Sequence, residues 1–254
     1  MAKKSLVVGN WKMYIGKLDD AKALALLLRR KLRGVAGVDV YVAPPITMLP
    51  KISELLESSP IYVGAQAVSA HTTGAHTGEV SALMLKAAGA SFVIIGHSER
   101  RAAGDTSEAV HAQLVQAVEA GLTPLLCIGE ESRGQDGEYF SYIEAQLQNA
   151  LKSVPKNILK KLVVAYEPVW AIGKSAEEAM KPADLREMAI FIRKVLAGLV
   201  GREAALKVSI LYGGSVEAEN AAALMQEGGV NGFLVGRAST HADSFLAIIE
   251  ACKK

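Results

Sequence analysis

In Leu6-Val7-Val8-Gly9-Asn10-Trp11-Lys12 a short apolar run, Leu6–Val8, leads through a glycine to an amide and a lysine. A doubly wound nucleotide-binding sheet would carry a Gly-x-Gly-x-x-Gly turn at this strand end. Here Gly9 is followed by Asn10, Trp11 and Lys12 instead. Similar runs recur at 38–42, 61–63, 92–95, 122–128, 162–165, 208–211 and 233–235. Between most of them lie amphipathic stretches with helical spacing: 18–30, with Leu24, Leu27 and Leu28 on one face, then 107–119 and 183–196. Strand–helix alternation predicts a parallel sheet. Eight units in 254 residues are what a closed (β/α)8 barrel requires, so the expected fold is an α/β barrel with a single domain over 1–254. An open doubly wound sheet stands as the alternative. No linker, low-complexity tract or charge block divides the chain.

Half of the residues are hydrophobic and 21% are charged, the balance of a globular protein with ample core. The 28 basic and 26 acidic side chains leave a formal net charge of +2. No general field for nucleic acid or an anionic membrane follows from that, so neither is expected as a partner, and an anionic ligand must be captured locally. Cys127 and Cys252 are far apart and form no CxxC pair, which argues against a disulfide framework or a zinc site and for a reducing compartment. The run after the basic N-terminus is too short for a signal segment, and none reaches the roughly 18 apolar residues of a membrane span. A soluble, cytoplasmic protein is expected.

In a parallel barrel the chemistry sits at the C-terminal strand ends. The polar residues there are Asn10 and Lys12 after the first strand, Gln66 after the third and His97-Ser98-Glu99-Arg100 after the fourth. The sixth strand delivers Glu167, the seventh Tyr212-Gly213-Gly214-Ser215 and the eighth Gly236-Arg237-Ala238-Ser239. Glu167 precedes Pro168, which disfavours the helical region for it and holds it extended at the strand end. The Val-Trp-Ala-Ile-Gly that follows reads as the rigid start of a movable cover. Glycine-rich turns near a helix start can bind a phosphate dianion through backbone N–H groups, and the turns after strands seven and eight are the frequent phosphate site of this fold. The expected substrate is therefore a small phosphorylated molecule. Glu167 is the candidate general base, His97 the candidate acid or electrophile, and Lys12 a fixed positive charge for an oxyanion or phosphate. Ser98 and Ser215 lack a triad context. Gly173-Lys174-Ser175 would need a glycine five positions before Gly173 to be a P-loop, and that position is Pro168. Proton transfer beside a carbonyl remains, which needs no cofactor and no metal.

Taken alone, a Glu at a strand end is as often an ion-pair partner as a base, and a lone His is more often structural. His71, His76, His111 and His241 have no partner at a strand end and read as structural. Cys127 reads as a small packed hydrophobe, Trp11 and Trp170 as core or loop anchors, and Arg29-Arg30-Lys31 as a solvated helix end.

Along essentially its whole length the chain resembles the triosephosphate isomerase family. The resemblance rests on Gly9-Asn10-Trp11-Lys12, Ile95-Gly96-His97-Ser98-Glu99-Arg100-Arg101, the run from Ala165 to Gly173 and Tyr212-Gly213-Gly214-Ser215-Val216, in the family's order and spacing. Gly74-Ala75-His76-Thr77-Gly78-Glu79 resembles its protruding dimer loop, with a histidine where an aromatic residue is usual. The resemblance implies a glycolytic and gluconeogenic isomerase that interconverts dihydroxyacetone phosphate and glyceraldehyde 3-phosphate through an enediolate. Carried over to this sequence, Glu167 moves the proton and His97 polarises the carbonyl as a neutral imidazole, this family being the standard example of such a histidine. Lys12 and Asn10 orient and stabilise the substrate, and Glu99 lies near Lys12. Gly173, Ser215, Gly236 and Arg237 give backbone N–H groups to the phosphate, Tyr212 supports the lid, and Thr77 marks the dimer loop of a homodimer.

The chain also departs from the family pattern. Gly173 runs straight into Lys174-Ser175-Ala176-Glu177-Glu178, so the C-terminal hinge of the lid is altered. Arg237 replaces a usual glycine, which would be costly if the backbone there needed a positive φ. Ala67 stands for a usual Asn or Asp, and Asp105 for a Glu. A barrel weakened in catalysis and kept as a phosphate-binding or scaffold protein is the reading from another class, and a different phosphosugar isomerase is a third.

Overall fold

The computed structural model describes residues 4–134, 136–154, 161–174 and 178–253. Eight strands pair in sequence order, all parallel, into a closed barrel. They are β1 (Ser5–Asn10), β2 (Val38–Ala43), β3 (Ile61–Ala65), β4 (Phe92–Ile95), β5 (Thr123–Ile128), β6 (Val163–Tyr166), β7 (Ser209–Tyr212) and β8 (Gly232–Val235). The helices among the described residues are α1 (Leu18–Lys31), α2 (Leu49–Leu56), α3 (Ala82–Ala87), α4 (Ser98–Ala102), α5 (Ser107–Glu119), α6 (Glu138–Leu151), α7 (Pro182–Val200), α8 (Arg202–Lys207), α9 (Ala218–Glu227) and α10 (Ala242–Ala251). Closure excludes the open doubly wound alternative.

All eight expected strands are present, and β1, β2, β3 and β8 are longer than the apolar runs suggested. Barrel pairing recruits Ser5, Gly9 and Asn10 into β1, residues that hydrophobicity does not mark. The helices begin and end on ordinary local chemistry. Thr106 caps α5, its hydroxyl accepting the Ala109 N–H, and α7 starts on Pro182, where the missing N–H costs nothing. Asp19 and Asp20 open α1, and Arg29, Arg30 and Lys31 close it, which matches the helix dipole and accounts for that basic run.

Apolar packing lies in two layers. Leu6, Val8, Phe92, Ile94, Leu125, Cys127, Ala165, Leu211 and Leu234 form one cluster, and a larger one joins Val7, Val93, Leu126, Val164 and Ile210 to the helices. Neighbours along a strand fall in different clusters because side chains alternate across a sheet. The first cluster is thus the barrel interior and the second the helix-facing shell. Both faces are covered, which is why β1 is buried at all six positions.

Inside the barrel, Phe92 fits because β3 carries Gly64. A β carbon at Gly64 would lie 2.3 Å from Phe92 Cδ1. Gly64→Ala is therefore expected to cost about 1–3 kcal/mol through overpacking, read as a lower denaturation midpoint in chemical unfolding. Unchanged stability would show that Phe92 moves freely and that the interior is not packed as described.

Candidate active site

Every strand ends on the same rim, so residues distant in sequence converge there. A cavity of about 370 Å³ is lined by Asn10, Lys12, His97, Glu167, Gly173, Gly213, Gly214, Ser215, Gly236 and Arg237, among others. Every residue expected to act as base, electrophile, cation or phosphate ligand is in that lining. Glu99 touches the site through Lys12, Tyr212 lies beneath it, and Thr77 is exposed on a separate loop. A larger cavity of about 490 Å³ lies against that loop, lined by Gln66, His71, His76, Arg100, Asp105 and Gln113 among others, and holds none of the expected catalytic groups.

Glu167 sits one residue beyond β6 and is 2% exposed. Its backbone N–H donates to Ile128 O at 2.7 Å, which ties it to the end of β5. A β carbon at Gly129 would come within 1.7 Å of Glu167 O, and one at Gly213 within 2.8 Å of its Cγ. Gly129 thus makes room for the Glu167 main chain, and Gly213 for its side chain. Oε2 accepts the Ser98 N–H at 3.0 Å, and Oε1 lies 3.2 Å from His97 Nε2.

His97 caps α4, and its Nδ1 accepts the Glu99 N–H at 3.1 Å. A nitrogen that accepts carries no proton, so in this geometry the proton of the neutral ring is on Nε2, aimed at Glu167. A helix, α4, starts directly after His97, and its first N–H groups set the tautomer.

Lys12 has φ 46°, the left-handed region, at a cost of order 1–3 kcal/mol for a non-glycine residue. Its N–H donates to Asn10 Oδ1 at 3.1 Å, and its Nζ lies 2.7 Å from Glu99 Oε1. Burial works against the Glu99 anion, but the Lys12 hydrogen bond and charge outweigh it and hold that carboxyl below its ordinary value. On the other side, Lys12 Nζ comes within 3.7 Å of where a β carbon of Gly236 would stand. The ammonium therefore spans from Glu99 to the phosphate-type turn.

Gly213-Gly214-Ser215 leads from β7 towards α9, and Gly236 leads from β8 into a 3-10 turn, Arg237–Thr240. A side chain at Gly214 would collide with Tyr212 Oη at 2.3 Å. The backbone N–H groups of Gly173 and Ser215 donate to no protein acceptor among the described residues. Arg237 begins the 3-10 turn outside the left-handed region, with its side chain exposed, so replacing glycine there brings no backbone strain. The strain considered for that position is on Lys12 instead.

The cover begins with a 3-10 turn, Val169–Ala171, and the Ser215 hydroxyl donates to Ala171 O at 2.9 Å. Trp170 anchors the turn by donating from Nε1 to Glu130 Oε1 at 3.0 Å, while Trp11 is fully buried core. Glu130 Oε1 also accepts from Tyr166 Oη and Arg133 Nε. Of the altered hinge, residues 175–177 lie outside the described residues. Burial pushes the Tyr212 phenol up to about 12, and among the described residues its hydroxyl has no hydrogen bond of ordinary geometry, the backbone group acting on it being that of Met180. Tyr212 thus meets the loop at its C-terminal end.

Known proteins match the sequence over nearly the whole chain, and that match decides the family. The family model described as Triosephosphate isomerase matches residues 5–252. The chain belongs to the triosephosphate isomerase family. It is 42% identical over 250 residues to the triosephosphate isomerase of Carboxydothermus hydrogenoformans, covering 98% of each chain. It is 43% identical over 249 residues to that of Citrifermentans bemidjiense, covering 97% of this chain and 98% of the relative. With that of Endomicrobium trichonymphae it shares 39% over 253 residues, 99% of this chain and all of the relative.

Two side chains that bear on this triosephosphate isomerase site escaped the sequence reading. Arg101 donates to Gly96 O at 2.8 Å and Cys127 O at 3.2 Å, joining the ends of β4 and β5. Cys127, expected only to pack, is fully buried beside Glu167. Burial first, and then the charge and hydrogen bonding of that carboxylate, push its thiol well above its ordinary value. An unfolded cysteine ionises near pH 8.5 while the native thiol stays protonated, so the native state holds the extra proton. Stability is fully present below about pH 8.5 and falls above it, at up to about 1.4 kcal/mol per pH unit for one proton. Denaturation between pH 8 and 10 should show a shallower fall for Cys127→Ala than for the parent; parallel slopes would mean that the native thiol ionises normally.

Proposed function

We propose that this chain is an active isomerase that interconverts dihydroxyacetone phosphate and D-glyceraldehyde 3-phosphate as one catalytic domain over 1–254. The observation that carries the reading is the buried Glu167 carboxyl oxygen 3.2 Å from His97 Nε2, in one cavity with Lys12 and two glycine-rich turns. Glu167 takes the proton from C1 of the ketone, and the electron pair moves into an enediolate. The His97 Nε2–H donates to the carbonyl oxygen as it gains charge, and the Lys12 ammonium stabilises the same anion. The hydroxyl proton on O1 passes to O2, with His97 Nε2 between the two oxygens as the relay, and the proton held by Glu167 then returns at C2, which gives the C1 aldehyde and the C2 hydroxyl with no change in composition. To act, Glu167 must leave the Ser98 N–H and turn from His97, so that the base faces carbon and the imidazole faces oxygen. Backbone N–H groups of Gly173, Ser215, Gly236 and Arg237 hold the phosphate, with Asn10 orienting the substrate beside Lys12. Tyr212 holds the far end of the closing loop.

The scaffold reading is not favoured, because every position that the chemistry needs is filled and lines one cavity. A homodimer suits the exposed loop with Thr77, together with Met13 and Tyr14 after β1, which are 92% and 56% exposed. Such apolar exposure beside a functional rim marks an association surface. A cytoplasmic, glycolytic setting follows from the substrates; no helix among the described residues is long and apolar enough to cross a membrane.

A coupled assay with glyceraldehyde 3-phosphate tests the activity directly. Glu167→Gln should lower turnover by about 10²- to 10⁴-fold with little change in folding; near-normal turnover would remove Glu167 as the base. Light scattering on the eluting protein should give twice the chain mass, and a fully active monomer would contradict the dimer.

A further inference from the structure

Gln66 stands at a strand end like the catalytic side chains, yet the proposed reaction assigns it nothing. It follows β3 directly and does not line the catalytic cavity. Its amide nitrogen donates to Ala43 O at 2.9 Å and to Lys12 O at 3.1 Å. Ala43 is the last residue of β2, and its carbonyl also accepts the Trp11 N–H at 3.1 Å. One side-chain amide therefore ties the rims of β1, β2 and β3 together. Both of its acceptors are carbonyl oxygens, so only the NH₂ end can face them.

We propose that Gln66 is a positioning residue that holds Lys12 in its left-handed backbone and thereby aims the ammonium into the cavity. Lys12 has no glycine-like freedom, so its φ of 46° must be imposed from outside. Asn10 Oδ1 takes its N–H and Gln66 takes its C=O, which fixes the peptide groups on both sides of the Cα. Packing does not fix the C-terminal side: Met13 is 92% exposed, and the turn there is closed by the Tyr14 N–H donating to Trp11 O at 3.1 Å. If the Lys12 carbonyl is released, the backbone relaxes towards an ordinary region and the side chain leaves a different face of the chain. Nζ then moves away from Glu99 and from the Gly236 turn. This inference rests on the role proposed above for Lys12 as the cation of the site.

The test is a four-way comparison of kcat/KM and thermal unfolding for the parent, Gln66→Met, Lys12→Ala and the double variant. Methionine keeps the length and removes the donors. Gln66→Met should lower kcat/KM by about tenfold to a hundredfold, the scale of a misplacement near 1 Å. On the Lys12→Ala background the same change should alter kcat/KM by less than about twofold, because the group it positions is gone. Gln66→Glu, with a carboxylate against two carbonyls, should lose more than Gln66→Met, and it carries the same comparison if the methionine variant does not fold. An equal loss in both backgrounds, after correction for the folded fraction, would overturn the proposal, as would parent-like kcat/KM in Gln66→Met. Near-normal activity in Lys12→Ala alone would overturn the reading of Lys12 itself, and that outcome is visible without any change at Gln66.

Discussion

Closure of the barrel depends on the seam between β1 and β8, where Leu6 faces Gly232. A β carbon at Gly232 would lie 1.8 Å from Leu6 O, and its φ of 146° is a conformation that side chains rarely adopt. The first and last strands approach closely enough to pair only because that position has no side chain. Once the seam is made there is no sheet edge, and all eight strand ends face one rim. Asn10 from β1 and Gly236 after β8, at opposite ends of the sequence, then become neighbours in the same cavity.

The rim carries charge where water is scarce, and the order of the site follows from that. Glu167 is 2% exposed and cannot rely on solvent, so the Ser98 N–H and His97 Nε2 take its oxygens. His97 can present a proton to it because the Glu99 N–H occupies Nδ1, and the Glu99 carboxylate in turn meets Lys12. Base, imidazole and cation are thus linked through α4, a helix of five residues. The groups that tune them lie just outside: Cys127 beside the carboxylate, Arg101 across two strand ends, and Gln66 on the backbone of Lys12.

Much of the fold was legible in the sequence because a parallel barrel repeats one signal. Each strand is buried on both faces and appears as a short apolar run, and the eightfold repetition decides the fold class where any single run would not. Strand ends were less clear, since Ser5, Asn10 and Tyr166 pair through their backbones whatever their side chains. The cavity-lining residues were legible through the rule that chemistry sits at C-terminal strand ends. Arg101, by contrast, acts through hydrogen bonds to main-chain carbonyls of two strands, which no spacing encodes. His71 and His76, without visible partners in the sequence, stack on each other with ring centroids 3.7 Å apart.

By itself the sequence determined the number of strand–helix units, the candidate base, histidine and lysine at the strand ends, and the two glycine-rich turns, because these depend on residue type and local order. Tertiary structure alone decided which nitrogen of His97 bears the proton, which residue carries backbone strain, and which oxygens Glu167 keeps occupied. Arg237, suspect on sequence grounds, is relaxed in a 3-10 turn, while Lys12, unremarked for its backbone, is the strained residue. The physical reason is that strain, tautomer and hydrogen-bond partner are properties of what surrounds a residue, and those surroundings exist only once the barrel has closed.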